Sequence, residues 1–483
     1  MNNKYQQQII GGLSCFSFLK SAFSADSEKT STDGVIDWLR EQNNAVHLKI
    51  EKTSFKELDL WGYDKHAGSI KHHSGKFFTI DGIQVKTNWG NIPEWHQPIV
   101  NQAEIGYLGF ITKEFNGVLH FLMQAKIEPG NVNYIQLSPT LQATRSNYAQ
   151  VHKGKKPLYL EYFQHVKPEQ ILLDQLQSEQ GARFLKKRNR NIIIRIEEEL
   201  PVYDNFTWLT LVQVKKLMLY DNLVNMDTRT VISGIPFGSF EPDMISFFNF
   251  LGSDRNHDPV KKAMLKSALS NSGALNSIEG VITFLTHLKS IYDLEVTKVP
   301  LDQLQDWIFS ESEIYHKDNK YFKVIAVDVE IGSREVIKWG QPMVEPAQEG
   351  LCAFVCKEIN GLMHFAVQAK LECGNFDIIE FAPTVQCLTG NYRQTPKNIL
   401  PFLDYVLNVP KEKIVFDTLQ SEEGGRFYRE QNRNMIIIAG DEIPDELPQN
   451  YIWMTLNQLY TFLKFNNYLN IQARSLIAAI SFV

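Results

Sequence analysis

Two periodicities organise the chain. Apolar residues alternate with polar ones through Phe78, Ile80, Ile83 and Val85, and again through Tyr321, Lys323, Ile325, Val327 and Val329, which predicts strands within 62–90 and 308–338. Helical spacing follows an acidic cap at Asp33-Gly-Val-Ile-Asp-Trp-Leu39 and at Glu279-Gly-Val-Ile-Thr-Phe-Leu285. It also predicts helices over Ile50–Trp61 and Val296–Trp307. Apolar runs on either side of Asn116-Gly117 and Asn360-Gly361 predict hairpins, since Asn-Gly suits the backbone of a two-residue turn. The stretches beginning Leu176-Gln-Ser-Glu-Gln-Gly and Leu419-Gln-Ser-Glu-Glu-Gly read as a helix start and a basic helix, then a strand at Ile192–Ile194 and Met435–Ile438. One amphipathic helix closes each half, from Trp208 to near Arg229 and from Trp453 to near Arg474.

The paired ranges show that the chain says the same thing twice. His120-Phe-Leu-Met-Gln-Ala-Lys-Ile-Glu-Pro-Gly-Asn131 returns as His364-Phe-Ala-Val-Gln-Ala-Lys-Leu-Glu-Cys-Gly-Asn375. The expected organisation is a leader (1–32), a first copy (33–234), a connector with one short helix at 259–269 (235–278) and a second copy (279–483). Each copy is α+β, a mixed or antiparallel sheet with flanking helices. Gln124, Lys126 and Glu128 stand on alternate residues, so a strand presents all three on one face. A core strand would need only its apolar residues repeated; the polar ones point to a built site, although shared ancestry can also keep them.

Composition narrows the function. The 483 residues carry a net charge of −6, without the basic footprint of a nucleic-acid binder. The basic run Lys186-Lys-Arg-Asn-Arg190 is not reproduced in the second copy. No run approaches the ~20 apolar residues of a membrane span. Cys352 and Cys356 fall in an apolar strand pattern and read as core, not as zinc ligands, and an odd count of five cysteines argues for a reducing compartment. Residues 9–25 loosely resemble a signal peptide, but Lys20 and several serines interrupt the apolar stretch, so a cytoplasmic protein is expected. His66, His72 and His73 have no counterpart in the second half and read as a solvated loop.

The shared polar blocks offer carboxylates, hydroxyls, amides and guanidinium groups. Arg183, Arg190, Arg426 and Arg433 are candidates for a diphosphate, which guanidinium groups hold bidentately. There is no Gly-rich phosphate loop, dinucleotide fingerprint or Gly-x-Ser-x-Gly elbow. The bland alternative is that the amides satisfy sheets and loops.

Four blocks carry a resemblance: Gln124-Ala-Lys-Ile-Glu-Pro-Gly-Asn131, Gln136-Leu-Ser-Pro-Thr-Leu-Gln-Ala-Thr-Arg-Ser-Asn-Tyr148, Tyr159-Leu-Glu-Tyr-Phe163 and the Leu176 block ending Arg188-Asn-Arg-Asn191. Ala382-Pro-Thr-Val-Gln-Cys-Leu-Thr-Gly-Asn-Tyr-Arg393 and the Leu419 block follow the same pattern. From about residue 33 to the C-terminus the chain resembles the NDP-hexose 2,3-dehydratases. The resemblance implies two Nudix-like modules, a homodimer and no metal or organic cofactor. It also implies a dTDP-sugar substrate, dTDP-4-keto-6-deoxy-D-glucose, which loses water across C2–C3 in deoxysugar biosynthesis. The alternatives are a non-catalytic nucleotide-sugar-binding scaffold and a Nudix-type hydrolase; the Nudix catalytic helix is missing from both halves.

On that chemistry Glu128 is the candidate base, Lys126 a donor to the enolate and Tyr148 an acid. Gln124, Thr140, Gln142, Arg145 and Asn147 are candidate substrate contacts in the first copy, and Lys370, Glu372, Gln386 and Tyr392 in the second. Around Asn147-Tyr148 the first copy has Ser138, Thr144, Arg145 and Ser146, where the second has Ala382, Leu388, Thr389 and Gly390. The extra donors favour the first copy as the one that performs the elimination. The counter-argument is Glu380, the charged counterpart of Gln136.

Overall fold

The computed structural model describes residues 14–24, 26–27, 29–144, 156–240, 258–332, 338–392 and 400–483. The strands among them form two sheets of five and two of seven. Each seven-stranded sheet grows from a predicted hairpin. Gly106–Phe115 pairs with Val118–Ile127, Phe115 opposite Val118, and Gly350–Ile359 pairs with Leu362–Leu371, Ile359 opposite Leu362. Asn116 (φ 49°) and Gly117 (φ 73°) both take left-handed backbone, as do Asn360 and Gly361, which is the requirement of a type I′ turn. The first arm takes Arg188–Arg195 in parallel, and the second takes Phe206–Thr210 antiparallel. The result is a mixed α+β architecture whose two similar halves fit the repeat.

Thr32–Ala45 and Ile278–Ile291 are helices as expected. Each is capped by a serine, with Ser31 Oγ accepting from Gly34 N at 3.1 Å and Ser277 Oγ from Gly280 N at 3.0 Å. Val35 and Leu39, like Val281, Leu285 and Leu288, turn one stripe of each helix into the core. Cys352 and Cys356 are buried in their strand, as the apolar alternation predicts.

Three expectations fail. The first concerns Ile50–Trp61 and Val296–Trp307, which are not α-helices; a single 3-10 turn, Leu301–Gln303, lies in the second. They begin as the strands Leu48–Thr53 and Leu294–Val299, with alternating exposure. Each strand joins the sheet of the other half: Leu48–Thr53 lies antiparallel to Phe322–Ile331, and Leu294–Val299 to Thr79–Thr87. Pairing with a sheet edge in the other copy overrides the local spacing. Second, no basic helix follows Ser178 or Ser421. Those segments are turns between strands, with Lys186 (φ 47°) and Arg429 (φ 53°) in left-handed backbone that a helix does not carry. Third, the closing helix is broken in both copies. Phe206–Thr210 is a strand, and the helix Leu211–Leu217 is separated from Met226–Ser233 by a turn; Tyr451–Thr455, Leu456–Leu463 and Ile471–Ala479 repeat this. Asn225 and Asn470 cap the second helices.

Residues 14–23 are helical and bury Phe18, Leu19 and Ala22. Ser21 Oγ donates to Leu119 O at 2.6 Å and accepts from Leu211 N at 2.8 Å. The connector helix, Pro259–Leu269, makes the matching contacts in the second half. There Ser267 Oγ donates to Met363 O at 2.6 Å and accepts from Leu456 N at 2.9 Å. No helix among the described residues is long and apolar enough to cross a membrane.

Candidate functional site

The Val118–Ile127 strand delivers Gln124 and Lys126 on one face, and Glu128 follows directly after its last residue. Glu128 is almost fully buried, at 3% exposure. Its Oε1 accepts from Gln142 Nε2 at 2.9 Å and has Lys126 Nζ at 3.5 Å. Gln142 is itself oriented by Ser138 Oγ (3.0 Å) and Asn225 Nδ2 (3.3 Å), both donating to its Oε1. Glu128 Oε2 is buried with no hydrogen-bond partner among the described residues. A buried carboxylate oxygen left open in this way is costly and marks a place where a substrate group can bind.

The wall opposite Glu128 comes from the other copy. Gly130 N donates to Gly424 O at 2.8 Å, and Arg429 N to Gly130 O at 2.7 Å. This seats the Glu422–Arg426 turn on the Glu128 strand end. A methyl group on Gly424 would lie 2.1 Å from Asn131 Oδ1 and 2.9 Å from Glu128 Cβ, so only glycine permits the approach. Glu423 and Arg426 belong to that turn, and both interact electrostatically with Glu128. Burial pushes the Glu423 carboxyl up, the nearby Glu128 adds to this, and Arg426, Lys187 and Lys126 oppose it. Asp227, near the start of the Met226–Ser233 helix, is also buried here. Desolvation, with Glu423, Glu179 and Glu128 around it, raises its carboxyl well above the usual range.

The second site repeats this plan with the copies exchanged. Glu372 Oε1 accepts from Gln386 Nε2 at 2.9 Å, and its Oε2 is likewise unpartnered among the described residues. Lys370 Nζ donates to the Gln386 carbonyl at 3.4 Å. Gly374 N donates to Gly181 O at 2.7 Å, bringing Arg183 from the first copy towards Glu372. Burial raises the Glu372 carboxyl, while Lys370, Gln386 and Arg183 pull it down. The two sites differ in charge: Glu423 is matched by Gln180, and Asp227 by Gln472. In the opposite sense, Glu430 and Glu380, matched by Lys187 and Gln136, lie on the Glu372 side next to Arg183 and Glu372, so the two sites hold different acids.

The other candidates separate by placement. Arg183 and Arg426 stack 4.1 Å from the ring centroids of Phe322 and Phe78, each ring belonging to the other copy. Arg190 and Arg433 are instead paired bidentately across neighbouring strands, with Asp174 (2.7 and 2.6 Å) and Asp417 (2.8 and 2.6 Å). Arg433 also borders a cleft of about 240 Å³ with Thr389 and Asp404. Thr140 is occupied inside its sheet, donating to Leu122 O at 2.5 Å and accepting from Ile111 N at 3.0 Å. Arg145, Asn147 and Tyr148 lie outside the described residues, as does the side chain of Tyr392. Glu380 is fully buried, accepts from Ser178 Oγ at 2.7 Å and is pushed up to about 7, chiefly by burial. Sequence reasoning missed Asp227 and Glu423. Both sit where the two copies differ by one charge, which was the available signal.

The profile of the NDP-hexose 2,3-dehydratase family matches residues 32–235 and 278–480. Three relatives carry the name dTDP-4-dehydro-6-deoxy-alpha-D-glucopyranose 2,3-dehydratase. The protein from Saccharopolyspora spinosa is 44% identical over 96% of this chain and 94% of its own length. That from Amycolatopsis orientalis is 39% identical over 95% and 92%, and that from Streptomyces violaceoruber 40% over 93% and 97%. The match divides at the connector, as the repeated site does, and identity extends over nearly the whole length of each relative. The chain belongs to the NDP-hexose 2,3-dehydratase family.

Proposed function

We propose that this protein is a hydro-lyase that removes water across C2–C3 of dTDP-4-keto-6-deoxy-D-glucose, and that it does so at the Glu128 site. One observation carries the choice of site: Ser138 Oγ donates to the Gln142 that orients the buried Glu128, where the second copy has Ala382 and no such hydroxyl. The 4-keto group of the substrate acidifies the C3 proton, and Glu128 is the base that takes it. Lys126, 3.5 Å from Glu128 Oε1, donates to the enolate oxygen. Stabilising such an oxyanion is usually the largest contribution to rate, with general acid–base help adding ~10²–10⁴. The C2 hydroxyl then leaves as water, and the enol tautomerises to a 3,4-diketo-2,6-dideoxysugar. Tyr148 is the acid that the sequence suggests for the hydroxyl. The ketone is the substrate's own electron sink, so the elimination itself calls for no redox cofactor.

Arg183 and Arg426 are the best-placed phosphate ligands, because their guanidinium groups are stacked and, among the described residues, not paired bidentately with a carboxylate. In this reading each copy is a Nudix-like module, bounded at 33–234 and 279–483, and the protein is a cytoplasmic homodimer. The second site binds nucleotide without performing chemistry. The test is to incubate pure protein with dTDP-4-keto-6-deoxy-D-glucose, with and without EDTA, and follow products by mass. Loss of one water in both conditions is expected. Unchanged substrate would favour a binding scaffold, and release of dTMP a hydrolase.

A further inference from the structure

We infer that Glu423, carried on the second copy, is the acid that protonates the departing C2 hydroxyl in the Glu128 site. This rests on the reading of Glu128 as the base and gives to Glu423 the proton that the sequence assigns to Tyr148. The geometry lies in the turn that faces Glu128. A methyl group built on Gly425 would stand 2.9 Å from Glu423 Oε1 and 3.7 Å from Glu128 Oε1. The two carboxyls therefore border one small space, which a glycine keeps open. In the first copy the matching turn reads Gln180-Gly-Ala182, against Glu423-Gly-Gly425. There the acid is replaced by an amide and the open space by a methyl group, on the turn that faces Glu372. Both changes remove what an elimination needs, and both occur in the same site. Glu128 Oε2, buried and unpartnered among the described residues, is an independent sign that this site receives a polar group; Glu372 Oε2 is open in the same way, so it is the facing turn that separates the two sites.

The protons balance. Glu128 takes the proton from C3, the C2–O bond breaks with its electrons going to oxygen, and Glu423 transfers its carboxyl proton to that oxygen, so water departs. Glu128 is then protonated and Glu423 ionised, next to Arg426, which favours the carboxylate. Tautomerisation restores both: the enol hydroxyl on C3 returns a proton to Glu423, and C2 receives one from Glu128. Burial and the neighbouring Glu128 favour a protonated Glu423 at the start of the cycle.

The experiment separates deprotonation from elimination by running the reaction in deuterium oxide. Deuterium wash-in at C3 is followed by mass and proton NMR, product formation alongside it, and dTDP affinity and circular dichroism report on folding. Glu423→Gln reproduces the amide of Gln180 without changing shape. It should still exchange the C3 proton and bind dTDP, while dehydration falls ~10²–10⁴-fold, the usual reach of general acid catalysis. Dehydration within tenfold of the unmodified protein would overturn the inference. So would joint loss of exchange and elimination in a folded, dTDP-binding Glu423→Gln, or a Tyr148→Phe variant that separates the two steps in its place. Exchange that persists in Glu128→Gln would overturn it through its base instead of its acid, so the two failures are told apart.

Discussion

Gly130 and Gly424 meet backbone to backbone, the N–H of one on the carbonyl of the other at 2.8 Å, and this contact joins the two copies at the site. A methyl group on Gly130 would stand 1.6 Å from Phe427 O and 2.7 Å from Gly424 O, both backbone atoms that cannot swing away. Gly130→Ala should therefore destabilise the protein by about 3 kcal/mol or more, as overpacking against rigid neighbours does. It should also displace Glu423 and Arg426 from Glu128. Thermal unfolding and dTDP titration check this; an unaltered Tm would mean that the two turns do not meet as described.

Arginine substitutions should divide by stacking against pairing. Arg183→Ala and Arg426→Ala should weaken dTDP binding by roughly 1.5–3 kcal/mol, the scale of a charge-assisted hydrogen bond. Arg190→Ala and Arg433→Ala should weaken it less, because those guanidinium groups are already engaged by Asp174 and Asp417. Calorimetric titration with dTDP would decide. Unaltered affinity in all four variants would end the assignment of phosphate to these arginines.

Glu380 predicts a pH dependence of stability. Its carboxyl is raised from 4.5 to about 7 in the fold, chiefly by burial. The folded protein holds the proton of a raised acid more tightly, so the contribution is complete below about pH 4.5 and is lost as pH rises through about 7. Glu380→Gln, which reproduces Gln136, removes the need to ionise a buried group. It should raise stability at pH 8 by up to about 3 kcal/mol and change it little at pH 5. Equal effects at the two pH values would show that Glu380 does not titrate in this range.

The hairpins at Asn116-Gly117 and Asn360-Gly361, the capped helices and the connector helix were legible because each is specified by residues adjacent in sequence. The exchange of Leu48–Thr53 and Leu294–Val299 was not. A repeat makes each copy look self-sufficient, and nothing within Leu-Lys-Ile-Glu-Lys-Thr says which copy's sheet it will join. The same blindness hid that Arg183 faces Glu372 of the other copy. The turn after Ser178 reads as a helix because its residues suit one, and contact with the other copy decides otherwise. The kinship of the leader helix with the connector helix rests on one short echo, Leu19-Lys-Ser-Ala22 against Leu265-Lys-Ser-Ala268, easily lost beside twelve-residue blocks. Lys126, Glu128, Gln142 and their counterparts were legible because polar residues were repeated. Asp227 and Glu423 were hidden because they were not.

The central claim is that one composite site, centred on Glu128, performs the elimination. It is tested most directly by comparing Glu128→Gln with Glu372→Gln, both folded, for turnover of dTDP-4-keto-6-deoxy-D-glucose. Glu128→Gln should lose at least about a hundredfold more turnover than Glu372→Gln, the lower end of what a general base supplies. If Glu128→Gln leaves turnover intact while Glu372→Gln abolishes it, the second site is the chemical one and the account is wrong.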